Sequence, residues 1–104
     1  MNLLDRHCTH GAAALDPATI PARLAQAPGW RAVDGAIARD YAFPDYRATI
    51  AFVNAVAGMA EAENHHPDMT VSHSRCTLNW STHSVGGLSI NDFICAARVD
   101  ALAT

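Results

Sequence analysis

Basic residues are scarce in this chain: seven Lys and Arg stand against ten Asp and Glu, for a formal net charge of −3 with the six histidines neutral. Neutralising a phosphate backbone takes a cationic stripe, so direct nucleic-acid binding is not expected. Long apolar runs are missing as well. No stretch approaches the roughly 20 residues that span a bilayer, and MNLLDRHCTH lacks a basic start followed by a hydrophobic run. The expectation is a protein that stays off the membrane and in the cytoplasm. Cysteine is confined to Cys8, Cys76 and Cys95, odd in number and far apart, as suits free thiols in a reducing compartment better than a disulfide framework. GxGxxG, GxxxxGK[ST] and CxxC are all absent, which leaves nucleotide cofactors and thiolate zinc sites without support. The chemistry must come from histidine.

What is present organises 104 residues, half of them hydrophobic, into one domain over residues 19–104. Residues 1–18 carry no period and are expected to form a flexible arm. IPARLAQ predicts a short helix with Ile20, Leu24 and Ala27 inward, stopped by Pro28 and Gly29. Trp30–Val33 and Ile37–Phe43 read as strands around Asp34-Gly35, a dipeptide suited to the positive φ angles of a tight hairpin. Pro44-Asp45 opens a long helix whose inward stripe is Thr49, Phe52, Val56, Met59 and Ala60, and Pro67 ends it near Asn64 or His65. Val71–His83 alternates as a strand, with Cys76, Leu78 and Trp80 on one face and a break near Ser74 that marks either a bend or two shorter strands. After a Gly86-Gly87 turn, Ser89 to Asp92 resembles a capping box for a last helix that buries Phe93, Ile94, Ala97 and Ala101. The residues by themselves therefore predict α, β, β, α, β, α and an α+β sandwich, with the helices on one face of an antiparallel sheet.

The stretch EAENHHPDM holds the most chemistry. Glu61 and His65, four apart on a helix, lie within reach of each other, either as a working pair or as solvated surface. Pro67 forces His66 into an extended conformation beside it. His83 stands at a strand end next to a Gly-Gly turn, where loops deliver functional groups. Trp30 and Trp80 fall on apolar strand faces and are expected in the core. The arm residues His7, Cys8 and His10 are either three ligands for a metal or part of an exposed tail, the second being favoured.

Together with STHSVGGLSINDF, FPDY (Phe43–Tyr46) and PGW (Pro28–Trp30), EAENHHPDM resembles the pterin-4a-carbinolamine dehydratase family from Pro28 to the C-terminus. The resemblance implies a four-stranded antiparallel sheet with helices packed on one face, in the order α-β-β-α-β-β-α, so that Val71–His83 holds two strands or a bend. It implies dehydration of a 4a-hydroxytetrahydropterin to the quinonoid dihydropterin, in recycling the tetrahydropterin cofactor of aromatic amino acid hydroxylases. His65, His66 and His83 match the family's active-site histidines and Glu61 the carboxylate behind them. We expect His65 and His83 to handle protons, His66 to bind and polarise, and Glu61 to orient His65. Asp92 and Met69 match positions near the substrate, although Asp92 has an equal claim as a capping carboxylate. Met69 offers a thioether where some members have an aromatic ring. No cofactor or metal is implied. The expected partners are the pterin, a second copy in a homodimer or homotetramer, and an aromatic amino acid hydroxylase. Two other classes compete: a dimerisation or regulatory interaction module, and a metal-dependent hydrolase using His65, His83 and Glu61, for which the adjacent rings of His65 and His66 are awkward joint ligands.

Overall fold

Asp34 (φ 48°) and Gly35 (φ 78°) both adopt left-handed angles, the condition for a two-residue hairpin, and they join strand β1 (Arg31–Val33) to β2 (Ala36–Ala42). This and the rest of the architecture are seen in a computed structural model, which describes Leu3 and residues 6–103. Strand β4 (Arg75–Trp80) pairs with β2 in register Ile37↔Trp80 and Tyr41↔Cys76, and β3 (Asp68–Val71) pairs with β4. All pairings are antiparallel and the sheet order is β1-β2-β4-β3. Period-2 alternation sends Cys76, Leu78 and Trp80 into the core, each 0% exposed. Among the described residues three α-helices complete the fold: α1 (Ile20–Ala25), α2 (Tyr46–Glu63) and α3 (Ile90–Leu102), with α2 and α3 packed on each other and on β4. The expected α+β class and four-stranded antiparallel sheet are thus observed.

Two expectations need correction. Val71–His83 holds two strands, the alternative that the break near Ser74 allowed, but β3 begins already at Asp68, and a turn over residues 72–74 reverses the chain into β4. In α3 the predicted inward residues Phe93 and Ile94 are buried, but Ala97 is only half-buried and Ala101 exposed, while Cys95, Ala96 and Val99 are fully buried. The reason is that the inward stripe of α3 runs through Asp92, Cys95, Ala96 and Val99 at helical spacing, which puts Ala97 and Ala101 on the opposite face.

Helix ends are set by local chemistry. Asp45 caps α2 by accepting the Ala48 amide at 2.8 Å. Asn64 closes α2 in the left-handed conformation (φ 52°, ψ 41°). At the other end of the core, Asp100 near the end of α3 accepts hydrogen bonds from Trp30 Nε1 (3.0 Å), Arg39 Nη1 (3.2 Å) and the Tyr41 hydroxyl (2.5 Å), tying α3 to the first hairpin. Burial and the Asp100 carboxylate push the Tyr41 phenol well up, so it stays a neutral donor. No local sequence signal marks this cluster, because its members are distant in sequence.

The segment before α1 lies against the body. Leu15 donates its amide to Leu88 O at 2.8 Å, Cys8 its amide to Glu63 Oε1 at 2.7 Å, and Thr9 and Asn91 exchange two bonds of 3.0 and 2.9 Å. Glu63, whose side chain is 6% exposed, also meets His7 Nδ1 at 2.7 Å. Burial alone would raise the Glu63 pKa, but the bonds from His7 and the Cys8 amide, with Arg98 nearby, outweigh it and hold the carboxyl below its ordinary value of 4.5. A depressed folded-state pKa gives stabilisation that is complete above the unfolded value and is lost as pH falls through the folded one. We expect the Cys8 amide to lose its hydrogen-bonded NMR shift only below about pH 4.5. A shift that is flat to pH 2 would show that Glu63 does not hold the arm.

Candidate active site

The left-handed turn at Asn64 swings His65 off the helix axis and under the sheet's end. Its amide still donates to Ala60 O (3.1 Å), while its ring, 12% exposed, stacks on Trp80 with centroids 5.4 Å apart and planes inclined by 16°. Nε2 lies 2.6 Å from Asp92 Oδ1. Asp92 is 0% exposed and accepts two further bonds on Oδ2, from the Ser89 amide (2.9 Å) and the Thr82 hydroxyl (2.8 Å). The Thr82 hydrogen is therefore spent on the carboxylate, so the contact of 2.7 Å between Thr82 and Ser89 hydroxyls has Ser89 as donor. A carboxylate acting purely as acceptor requires hydrogen on Nε2 of His65 and leaves Nδ1 as the ring nitrogen that can accept a proton. The capping box of α3 and the orientation of His65 are the work of one side chain.

Glu61 does not orient His65. Because the helix ends at Glu63, residue 65 no longer obeys helical i, i+4 geometry, and Glu61 Oε1 instead meets His66 Nε2 at 2.6 Å. Both partners are exposed, His66 at 55% and Glu61 at 79% of the side chain. Exposed pairs contribute little, so Glu61→Ala should shift Tm by less than about 3 °C and leave the imidazole ¹⁵N signals of His65 in place. A displaced His65 signal would contradict the reassignment.

His83 opens a short 3-10 turn (His83–Val85) that is pinned at its base by the Thr82 amide on Gly87 O (2.7 Å) and closed by Gly86 at φ 67°. The ring-bearing loop thus returns toward Pro67. His65, His66 and His83 line one open depression of about 390 Å³, together with Ser81 and Ser84. A second cavity of about 390 Å³ adjoins it, sharing Asn64, His65, Thr82 and Ser84, and is walled on the far side by residues Cys8 to Ala12. Three expected members lie outside these linings. Asp92 is fully buried behind His65. Met69 faces the core opposite Leu78, and Glu61 is turned to the surface. Its position in β3, which starts earlier than the alternation suggested, turns Met69 toward the core rather than toward the depression.

Among the described residues, no three His, Cys, Asp or Glu side chains are grouped as a metal site. His65 is committed to Asp92 and Glu61 to His66, so the hydrolase triad of His65, His83 and Glu61 does not converge. His7 and Cys8 likewise diverge, toward Glu63 and toward Cys95. No helix among the described residues is long and apolar enough to cross a membrane.

The arrangement is that of a small α+β protein with three imidazoles on one depression, one of them held by a buried carboxylate. The family model described as pterin 4 alpha carbinolamine dehydratase matches residues 13–102. A Chromobacterium violaceum protein provisionally named pterin-4-alpha-carbinolamine dehydratase is 47% identical over 98% of this chain and 96% of its own. A Stenotrophomonas maltophilia protein with the same provisional name is 51% identical over 85% of this chain and 78% of its own. Among solved structures, a transcriptional coactivator/pterin dehydratase from Brucella melitensis superposes with a TM-score of 0.82 at 29% identity, covering 86% of this chain and 98% of that one. A pterin dehydratase-like protein identified as a RuBisCO assembly factor in the alpha-carboxysome gives 0.61 at 27% identity, over 71% and 86%. The chain belongs to the pterin 4 alpha carbinolamine dehydratase family.

Proposed function

We propose that the protein is a hydro-lyase that removes water from a 4a-hydroxytetrahydropterin to give the quinonoid dihydropterin. In the balanced step the N5 proton leaves to a base, the N5–C4a double bond forms, and the C4a–O bond breaks as the hydroxyl departs, protonated, as water. A base and an acid suffice. The observation that carries this reading is the convergence of His65, His66 and His83 on one depression. His65, through Nδ1, and His83 exchange the two protons; Asp92 positions His65, and His66, steadied by Glu61, binds and polarises the pterin. In the cell the reaction serves to recycle the tetrahydropterin of an aromatic amino acid hydroxylase, in the cytoplasm, with the chain self-associated as a dimer or tetramer.

The test is stopped-flow absorbance of a 4a-hydroxytetrahydropterin with and without the purified chain. We expect a catalytic acceleration over buffer; an unchanged decay rate would reject the activity. A second reading, an interaction module without turnover, draws on the sheet's two edges: β1 is exposed throughout, and Val33 and Val71 on the two edge strands are 39% and 40% exposed. It would be favoured by a stable heteromeric complex combined with absent turnover.

A further inference from the structure

Cys8 and Cys95 lie 87 residues apart in sequence, yet their sulfurs approach to 3.4 Å. This contact is built from both sides. On the arm, the Cys8 amide is bonded to Glu63, and its neighbour Thr9 is held by both ends of the Asn91 side chain. On the body, Cys95 is a fully buried residue of α3 with no freedom to turn away. An S–S bond of ~2.05 Å needs the sulfurs to close by roughly 1.4 Å, and the arm, which carries neither strand nor α-helix at Cys8, can supply that movement. Cys8 also lines the open cavity beside His65 and is only half-buried, whereas Cys95 is buried, so Cys8 is the cysteine on the solvent side of the pair. No metal grouping among the described residues competes for the pair.

We propose that Cys8 and Cys95 are a reversible oxidation site at which a low-molecular-weight disulfide, RSSR, cross-links the arm to α3. The Cys8 thiolate attacks one sulfur of RSSR, forming a mixed disulfide and releasing RS⁻. Cys95 then attacks the Cys8 sulfur, its proton passing to the second departing RS⁻. The protein dithiol is oxidised by two electrons and RSSR is reduced to two RSH, so atoms and electrons balance. The Cys8 thiol alongside and burial both push the Cys95 thiol up, which keeps it protonated until the mixed disulfide is in place and makes Cys8 the entry point. Since Cys8 to Ala12 form one wall of the cavity and His65 lies on the other, the cross-link fixes the width of the cleft beside the three histidines. The inference is independent of the dehydratase reading.

The experiment exposes the folded, full chain to oxidised glutathione, quenches with an alkylating agent and maps peptides without reduction. Expected are an intramolecular Cys8–Cys95 link and a Cys76 thiol, fully buried on β4, that alkylates only after unfolding. Closing so long a loop should raise Tm by on the order of 10 °C, reversed by dithiothreitol. Cys8→Ser, a near-isosteric change at a half-buried position, should abolish both the link and the Tm rise. The proposal is overturned by a map showing only glutathionylated Cys8 or intermolecular links, or by a Tm rise that persists in Cys8→Ser.

Discussion

His65→Ala and His83→Ala should each lower kcat/KM for pterin carbinolamine dehydration by about 10²–10⁴-fold, the range that positioned acid–base groups contribute. That corresponds to about 3–5 kcal/mol of transition-state stabilisation, from the ~1.36 kcal/mol per decade of rate. The two rings reach the depression from different elements, one just past the end of α2 and one on the 3-10 turn, so we expect neither to replace the other across a bicyclic substrate. His66→Ala, by contrast, should mainly raise KM, because its ring is exposed and held by the exposed Glu61. A structural side effect of losing His65 is separable from its chemical role: added imidazole should restore part of the rate in His65→Ala, whereas a collapsed site would not respond. Near wild-type turnover in both variants would remove the acid–base reading.

Asp92→Asn should keep the fold while reducing kcat by on the order of 10²–10⁴-fold, as expected when an imidazole is held in the wrong tautomer. The argument is one of donors and acceptors. The carboxylate accepts from His65 on Oδ1 and from Ser89 and Thr82 on Oδ2. An amide has a single acceptor oxygen. If that oxygen serves Ser89 and Thr82, the NH₂ faces Nε2 of His65 and drives its hydrogen to Nδ1, the nitrogen that must be free to accept. If the oxygen serves His65, the Thr82 hydroxyl can turn to accept from the NH₂, but the buried Ser89 amide can only donate and loses its acceptor, at a cost of about 1–3 kcal/mol in stability. The imidazole ¹⁵N shifts of His65 distinguish the two outcomes, and unchanged kcat would show that Asp92 serves only as a helix cap. Because Asp92 acts through His65 and does not itself line the depression, the loss should fall mainly on kcat.

Much of the scaffold was legible because its signals are local. Asp34-Gly35 marked a hairpin, Asp45 a helix start, Pro67 a helix end and Ser89 to Asp92 a capping box, and each is found where short-range sterics and capping require. The three histidines of the depression were also legible, as a spaced motif. Errors arose where a neighbour in space overrode spacing in sequence. The Glu61–His65 pairing assumed one more helical turn than Asn64 allows, and Ala97 and Ala101 were placed inward because the stripe was started from Phe93 rather than from Asp92, which packing turns toward the core.

From its own order of residues this chain determined where backbone segments begin and end and which side chains are available as acids and bases, since caps, turns and periodicity depend on neighbours a few positions away. Tertiary packing alone decided which partner each of those groups meets: Asp92 rather than Glu61 behind His65, Asp100 gathering Trp30, Arg39 and Tyr41, and Cys8 against Cys95. Such contacts join residues dozens of positions apart, and a hydrogen bond or thiol contact forms only where the folded backbone brings two atoms within about 3–4 Å.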